Sequence, residues 1–400
     1  MKINQIATVL NSAFYPEATG KNEETIKDDL SNVVEVGTRI TSASNFGSMM
    51  NGYMKTIFDK VGETVYSDMG YESGGFDLHV TDTELGGVLE KIRIEAPDFD
   101  ENKSWTFTDG DGSTHEEMFG YHPVTVDGKY FMSRTTFRTK PYTITEKQFR
   151  TAFTSIDNVY EFIGRIEQRV ISKRDLAINI LNHKAVTALI AEKLKSGDNV
   201  INLLAEYRTE TGDETVTENN WRTNEKFLLY ANTYVRTISD IMNEPTGLYN
   251  EDGYVSQTTE SNRKFYLLSD FSRAIESYVY RSSYNVENVR LTGYKTIAYW
   301  QAVGNNKNTA NFDTRSTINA IPPSEGEQTE TPDKREVVNE SGIVGVIFNR
   351  FAAFINAKRI ETGVQTNNFD KWTNYIHMFE AGYYVDTGEN AVVFVIKNPS

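Results

Sequence analysis

Between residues 98 and 109 the chain sets acidic and amide side chains where a divalent cation could be held. Asp98, Asp100 and Asn102 take positions one, three and five of a window that closes on Asp109 at position twelve, the spacing by which a calcium loop gathers oxygen ligands. Two departures weigh against that chemistry. Position six, where such a loop turns on glycine, is Lys103, and position twelve is an aspartate, one carbon shorter than the bidentate glutamate. The preceding Lys91 to Glu95 alternate like a strand rather than a helix. A solvated loop tip is the favoured reading, and Asp109-Gly110-Asp111-Gly112-Ser113 is a turn cluster before it is a ligand set. His79, His115, His122, His183 and His377 never fall at metal-ligand spacing. No Gly-x-Ser-x-Gly elbow, Walker phosphate loop or dinucleotide-binding Gly-x-Gly-x-x-Gly occurs. The absence of cysteine removes thiolate metal sites, thiol nucleophiles and disulfides. With 56 acidic residues, no single carboxylate pair is informative. The expectation is a protein without catalytic, cofactor-binding or metal-ligating residues, and so not an enzyme.

The elements that would position any site are more telling. From Ser155 to Ser196 the chain runs about 40 residues without proline and with one glycine, Gly164. Val159, Ile163, Ile166, Val170, Ala177, Leu181, Ala185 and Ala188 form an apolar stripe at steps of three, four and seven. Ser155 or Asp157 can cap the start, and Lys193, Lys195 and Gly197 close the end. Such a helix would span roughly 60 Å, as long as a compact globule of this size is wide, about 55 Å. It either breaks, near Gly164 or around Lys173 to Asp175, or serves as the spine of a flat subunit.

Helices are expected over residues 2 to 14, Glu23 to Val34 and 44 to 58, an arm that must pack on something else. From Phe76 to Thr145 the period falls to two, and the simplest organisation is a long two-stranded arm pairing Lys91 to Glu95 with Thr135 to Thr145 around a polar tip, Asp98 to Gly120. An isolated ribbon is marginal in water, so this arm implies a neighbouring subunit. Beyond the long helix, Val200 to Tyr207 reads as a strand, Asn224 to Met242 as a helix, Lys264 to Leu268 as a strand and Asp270 to Tyr280 as a helix, with Thr296 to Val303 undecided. Residues 304 to 341, acidic and poor in large apolar side chains, read as a mobile loop or a linker.

The net charge of −15 argues against binding the outside of nucleic acid. It fits either solubility or a wall beside a polyanion that must not stick to it. The N-terminus carries no signal-like core and no window reaches the roughly 18 apolar residues of a membrane span. A soluble protein made in the cytoplasm is expected.

The last 60 residues form a distinctive cassette. Gly342-Ile-Val-Gly-Val-Ile-Phe348 is a buried-strand run, followed by Asn349-Arg350-Phe351-Ala352-Ala353, a basic Lys358-Arg359 strand end and an amide turn from Gln365 to Phe369. Trp372 to Tyr384, with Glu380 before a tyrosine pair, and a terminal Asn390-Ala-Val-Val-Phe-Val395 strand complete three or four strands. This order of elements resembles the major capsid proteins of tailed bacteriophages, the Hong Kong 97-type shell fold, and is closest in flavour to the small phi29-like podophages. The resemblance implies an α+β fold with an N-terminal arm (1–60), an extended β-hairpin loop (61–150), a peripheral domain with the spine helix (151–199 and 342–385) and an axial domain (200–341 and 386–400).

It further implies self-assembly through hexamers and pentamers into an icosahedral head shell. A separate scaffolding protein, a portal protein and packaged double-stranded DNA, enclosed but not read, would be the other partners. There would be no membrane, and the protein would reside in the virion after assembly in the host cytoplasm. Arg134, Arg138 and Lys140 on the hairpin become candidates for pairing with acidic rims of neighbours. Some relatives cross-link a hairpin lysine to an asparagine; Lys103 and Lys129 lie on the hairpin, but no partner asparagine or catalytic glutamate is identified, and that activity is not carried over. Two other readings stay open: an encapsulin-like compartment of the same fold, and a monomeric enzyme acting on polysaccharide, motivated by 22 Tyr and 22 Phe among many acids.

Overall fold

The long helix does not break. In the computed structural model it runs unbroken over Ile156–Ser196, 41 residues. The structure describes residues 3–14, 25–42, 52–53, 55–57, 76–82, 88–94, 126–132, 135–138, 142–280, 291–301, 312–322, 337–367 and 372–399. Both helix ends close by the expected residues. Ser155 Oγ accepts from the Asn158 amide at 3.2 Å, and Gly197, at φ 76°, donates its N–H to Lys193 O at 3.0 Å. All eight stripe residues are buried, and so are Ile178, Val186, Leu189, Ile190 and Ala191. Those extra positions face further neighbours, because this end of the helix packs on residues of two sheets.

A Cβ built at Gly164 would meet nothing within 4 Å, so no close approach requires a glycine there and the position only weakens the helix. Gly164→Ala is expected to raise stability by about 0.5–1 kcal/mol, read as a thermal midpoint about 1–2 °C higher. A lowered midpoint would show that the helix yields at that turn.

The strands in chain order are β1 (His79–Asp82), β2 (Val88–Ile94), β3 (Val126–Met132), β4 (Thr135–Arg138), β5 (Tyr142–Thr145), β6 (Val200–Asn202) and β7 (Arg263–Leu268). They continue as β8 (Lys295–Ile297), β9 (Ile318–Ala320), β10 (Val338–Glu340), β11 (Ile343–Asn349), β12 (Ala353–Asn367), β13 (Trp372–Val385) and β14 (Ala391–Val395). One five-stranded sheet is ordered β1-β12-β13-β4, with β5 also on β13. The other is ordered β6-β14-β11-β7-β8. In the second, β11 and β14 are buried along their whole length, which is why they read as unbroken apolar runs rather than alternating ones. The segment 342–385 is thereby shared, β11 lying in one sheet and β12 with β13 in the other. The spine packs its first half on the arm together with Ile144 of β5 and Tyr375 of β13, and its second half on both sheets, while the helix Glu225–Met242 covers the far face of β7, β11 and β14 in a third cluster.

Several sequence expectations are corrected. The partner of β2 is β3, not residues 135 to 145; β4 and β5 leave the ribbon and pair with β13. There Ile144 is buried against the Tyr375 cluster, a gain that a free ribbon lacks. The second arm helix is Val33–Ser42. Ahead of it Leu30 takes φ 58°, and the Asn32 side chain accepts from Lys27 N and donates to Thr25 O, both at 2.9 Å, folding residues 25–32 into turns that still bury Ile26 and Leu30. Val200 to Tyr207 is a strand only as far as Asn202, whose side chain caps the helix Leu203–Thr211 by accepting from Leu204 N at 3.2 Å. The expected loop 304–341 holds structure in its described parts: a helix Phe312–Ser316, then β9 paired with β10, fixed by a fully buried Ile318. Of the expected helix 44–58, only residues 52–53 and 55–57 are described, and they are helical.

Candidate assembly surfaces

The arm reaches the spine through interlocking contacts. Asn11 donates to Ile26 O and accepts from Ile26 N, both at 2.8 Å, tying the helix Ile3–Phe14 to the turn that follows. Gly37 lets the helix Val33–Ser42 lie against Phe153, since a Cβ there would stand 2.5 Å from the ring and 2.8 Å from Phe153 Cβ. Phe14 packs at 5.5 Å on Phe153, which in turn lies tilted against Phe149 at 5.2 Å.

Beside this cluster lies a groove of about 670 Å³ between β5, the helix Glu146–Ala152 and the first half of the spine. Tyr142, Ile144 and Phe162 make its apolar floor, and Lys147, Arg165 and Arg169 its cationic wall. The Arg169 guanidinium stacks 4.8 Å above the Tyr142 ring. The Tyr142 hydroxyl sits 2.7 Å from His377 Nε2. His377 is buried on β13, and loss of solvent pushes its pKa down to about 4. Burial drives the Tyr142 hydroxyl upward.

The ribbon β2–β3 meets the body at an acidic turn. Asp386 to Glu389 join β13 to β14, with Gly388 N donating to Asp386 Oδ1 at 3.0 Å and Glu251 N donating to Thr387 O at 3.2 Å. Lys91 pairs with Asp386 and, at 2.6 Å, with Glu389. Lys129 pairs with Asp252 at 2.7 Å and lies 3.7 Å from Asp386. Asp252 sits on a loop pinned to the same turn: Asn250 donates to Asn390 Oδ1 at 2.9 Å, and Ala391 N donates to Tyr249 O at 2.9 Å. That loop exposes Leu248 and Val255 by 71% and 73%, large apolar side chains on a tied-down loop. On the outward face of the spine Leu176 and Ile180, one turn apart, are also exposed, as is Ile92 on the ribbon.

Of the residues singled out in the sequence, Asp98, Asp100, Asn102 and Asp109 lie outside the described residues, as do Arg134 and Lys140. Arg138 is on β4, opposite Met378 of β13. Lys91, Asp252, Asp386 and Glu389 were not singled out. Their signal was present only as a lysine in the middle of each ribbon strand. Among the described residues, no group of three or more His, Cys, Asp or Glu is placed to hold a metal ion, and no helix is long and apolar enough to cross a membrane.

A family model, the Phi29-like phage major capsid protein, matches residues 12–395. The chain belongs to that family. This capsid protein is thus a structural component of a bacteriophage virion, a class whose members assemble into shells. Membership favours neither the encapsulin-like compartment nor the polysaccharide-acting enzyme. The mixed α+β architecture, with its long helix, ribbon, mixed sheet and returning strands, agrees with that membership. The capsid protein is similar to solved phage capsid structures: that of Staphylococcus phage Andhra at 11% identity and TM-score 0.47, covering 83% of this chain and 84% of that one. The Cyanophage P-SCSP1u capsid matches at 10% identity and TM-score 0.41, over 82% and 92%. The mature capsid of bacteriophage PhiM1 matches at 9% identity and TM-score 0.39, over 83% and 90%. Comparison with curated proteins gives no match.

Proposed function

We propose that this capsid protein forms the icosahedral head shell of a tailed phage as hexamers and pentamers of one flat subunit, and that it acts without catalysis. A separate scaffolding protein guides closure, a portal protein admits the DNA, and double-stranded DNA is enclosed without sequence-specific contact; assembly takes place in the host cytoplasm. The observation that carries this reading is the unbroken Ile156–Ser196 spine with an arm packed on one end and a two-stranded ribbon, β2 with β3, set apart from the two five-stranded sheets. Residues 1–60 act as the arm, 61–150 as the extended loop, 151–199 with 342–385 as the peripheral domain, and 200–341 with 386–400 as the axial domain. Exposed Leu176, Ile180, Leu248 and Val255 are then buried between subunits, at about 25 cal/mol per Å² of apolar area, and repetition around a closed shell multiplies weak contacts. Arg134, Arg138 and Lys140 serve as inter-subunit cations, and the 98–109 segment as a solvated tip. The net charge of −15 keeps the inner wall from gripping the packaged polyanion.

Negative-stain microscopy of the protein purified after co-expression with its scaffold is expected to show angular shells, or flat hexamers and pentamers. A monodisperse monomer at high concentration, with scaffold present, overturns the reading.

A further inference from the structure

The ribbon contains an arrangement that makes little sense on its own. Lys91 and Lys129 are directly opposed across β2 and β3, and like charges facing each other in an antiparallel pair are destabilising. Both ammonium groups reach the same acidic turn, where Asp386 is 2% exposed and the Glu389 side chain 9%. Two buried carboxylates three residues apart need cations as much as the lysines need anions. Asp252 supplies the third acid from the pinned loop. Gly388 makes room for the contact: a Cβ there would fall 2.1 Å from Asp252 Oδ2 and 2.8 Å from Lys129 Nζ. Two lysines meet three carboxylates, opposite in sign and fitted at close range.

We propose that Lys91 and Lys129 with Asp252, Asp386 and Glu389 form a latch that holds the hairpin on its own subunit before assembly. A hairpin fastened at home is not available to a second copy. Its release uncovers two buried carboxylates, so the latch opposes premature association until neighbouring subunits compete for the hairpin. The closed latch stands on the ion pairs alone; its role in timing rests on the shell reading.

Zero-length carbodiimide coupling tests the closed state, because it joins an amine to a carboxylate only where the two touch. An equal mixture of unlabelled and heavy-nitrogen full-length protein, unassembled, would be coupled, digested and read by mass spectrometry. A link from Lys129 to Asp252, whose side chains keep 24% and 21% exposure and so admit the reagent, is expected within one isotope class. Mixed-isotope links alone, or none while the similarly half-buried pair Lys397 and Glu340 couples, overturn the latch. In assembled shells the same intrachain link should be lost, and its persistence overturns release. The double variant Lys91→Glu with Lys129→Glu should speed protease cleavage of the hairpin about tenfold, the effect of roughly 1.4 kcal/mol, while Lys91→Arg with Lys129→Arg keeps the native rate. An unchanged rate in the charge-reversed protein overturns the proposal. Shell formation is scored separately: shells formed by a protein whose unassembled form lacks the intrachain link sink the latch alone, whereas that link in the unassembled protein with no shells formed sinks the shell reading alone.

Discussion

Ile166→Pro is expected to eliminate shells and to unfold the arm end of the subunit. Ile166 lies about three turns into the spine and is 5% exposed, in one cluster with Phe149, Phe153 and Val170. Proline there removes the hydrogen bond from residue 166 to the carbonyl of Phe162 and drives its ring into that carbonyl, a cost of about 3 kcal/mol or more. Loss of the buried Ile166 side chain adds a cavity. The larger effect is geometric. One hydrogen-bond ladder connects the arm cluster to the two-sheet cluster, so a kink at 166 swings one relative to the other, and a lattice tolerates little of that. Microscopy would show no regular particles and circular dichroism a loss of helix, whereas Ile166→Leu, which conserves volume, should assemble normally at a cost under about 1.5 kcal/mol. Regular particles from the proline variant would mean that the helix does not serve as the subunit's rigid frame.

Acid is expected to loosen the same region through His377. Its pKa in the folded protein, about 4, lies below the ordinary 6.5, so between those values the unfolded chain binds a proton that the folded one refuses. Stability from this group is therefore complete above pH 6.5 and falls as pH drops towards 4. A fall of about two and a half pH units at 1.36 kcal/mol each sets the loss near 3 kcal/mol as an order of magnitude. Protonation would place a charge in the buried contact between His377 and the Tyr142 hydroxyl, loosening β5 on β13 where the groove begins. Chemical denaturation at pH 7 and pH 4.5 should show the wild type losing more stability than His377→Gln, which cannot titrate. Equal losses in both would remove His377 as the sensor.

The spine could be read in the sequence because everything that defines it is local: a cap at Ser155, a stop at Gly197 and a period between. The strands β11 and β14 were equally plain, since burial on both faces leaves no polar interruptions. Pairing was harder. Alternation in Val88–Ile94 shows which residues share a face but not which strand lies alongside, so the threonine-rich 135–145, with its stronger strand propensity, reads as the partner in place of β3. Asn32 and Asn202 misled for a related reason. An asparagine in a helical or strand-like window often satisfies the backbone elsewhere, and here one builds a turn and the other starts a helix. The acidic cradle was out of reach altogether, because Lys91 and Asp386 are 295 positions apart and nothing in either neighbourhood announces the other.

The spine's two separate clusters also decide how the subunit gives way under load. A single core would fail all at once, but here the arm cluster and the two-sheet cluster can be lost in turn, with the helix and the long strands β12 and β13 running through both. Peeling the arm strips Val159, Ile163, Ile166 and Val170 of their cover and leaves Leu181, Val186 and Leu189 seated between the sheets. The subunit thus has a sacrificial end and a retained end, and a wall built from it can yield at many arms under internal pressure without tearing the body of any one.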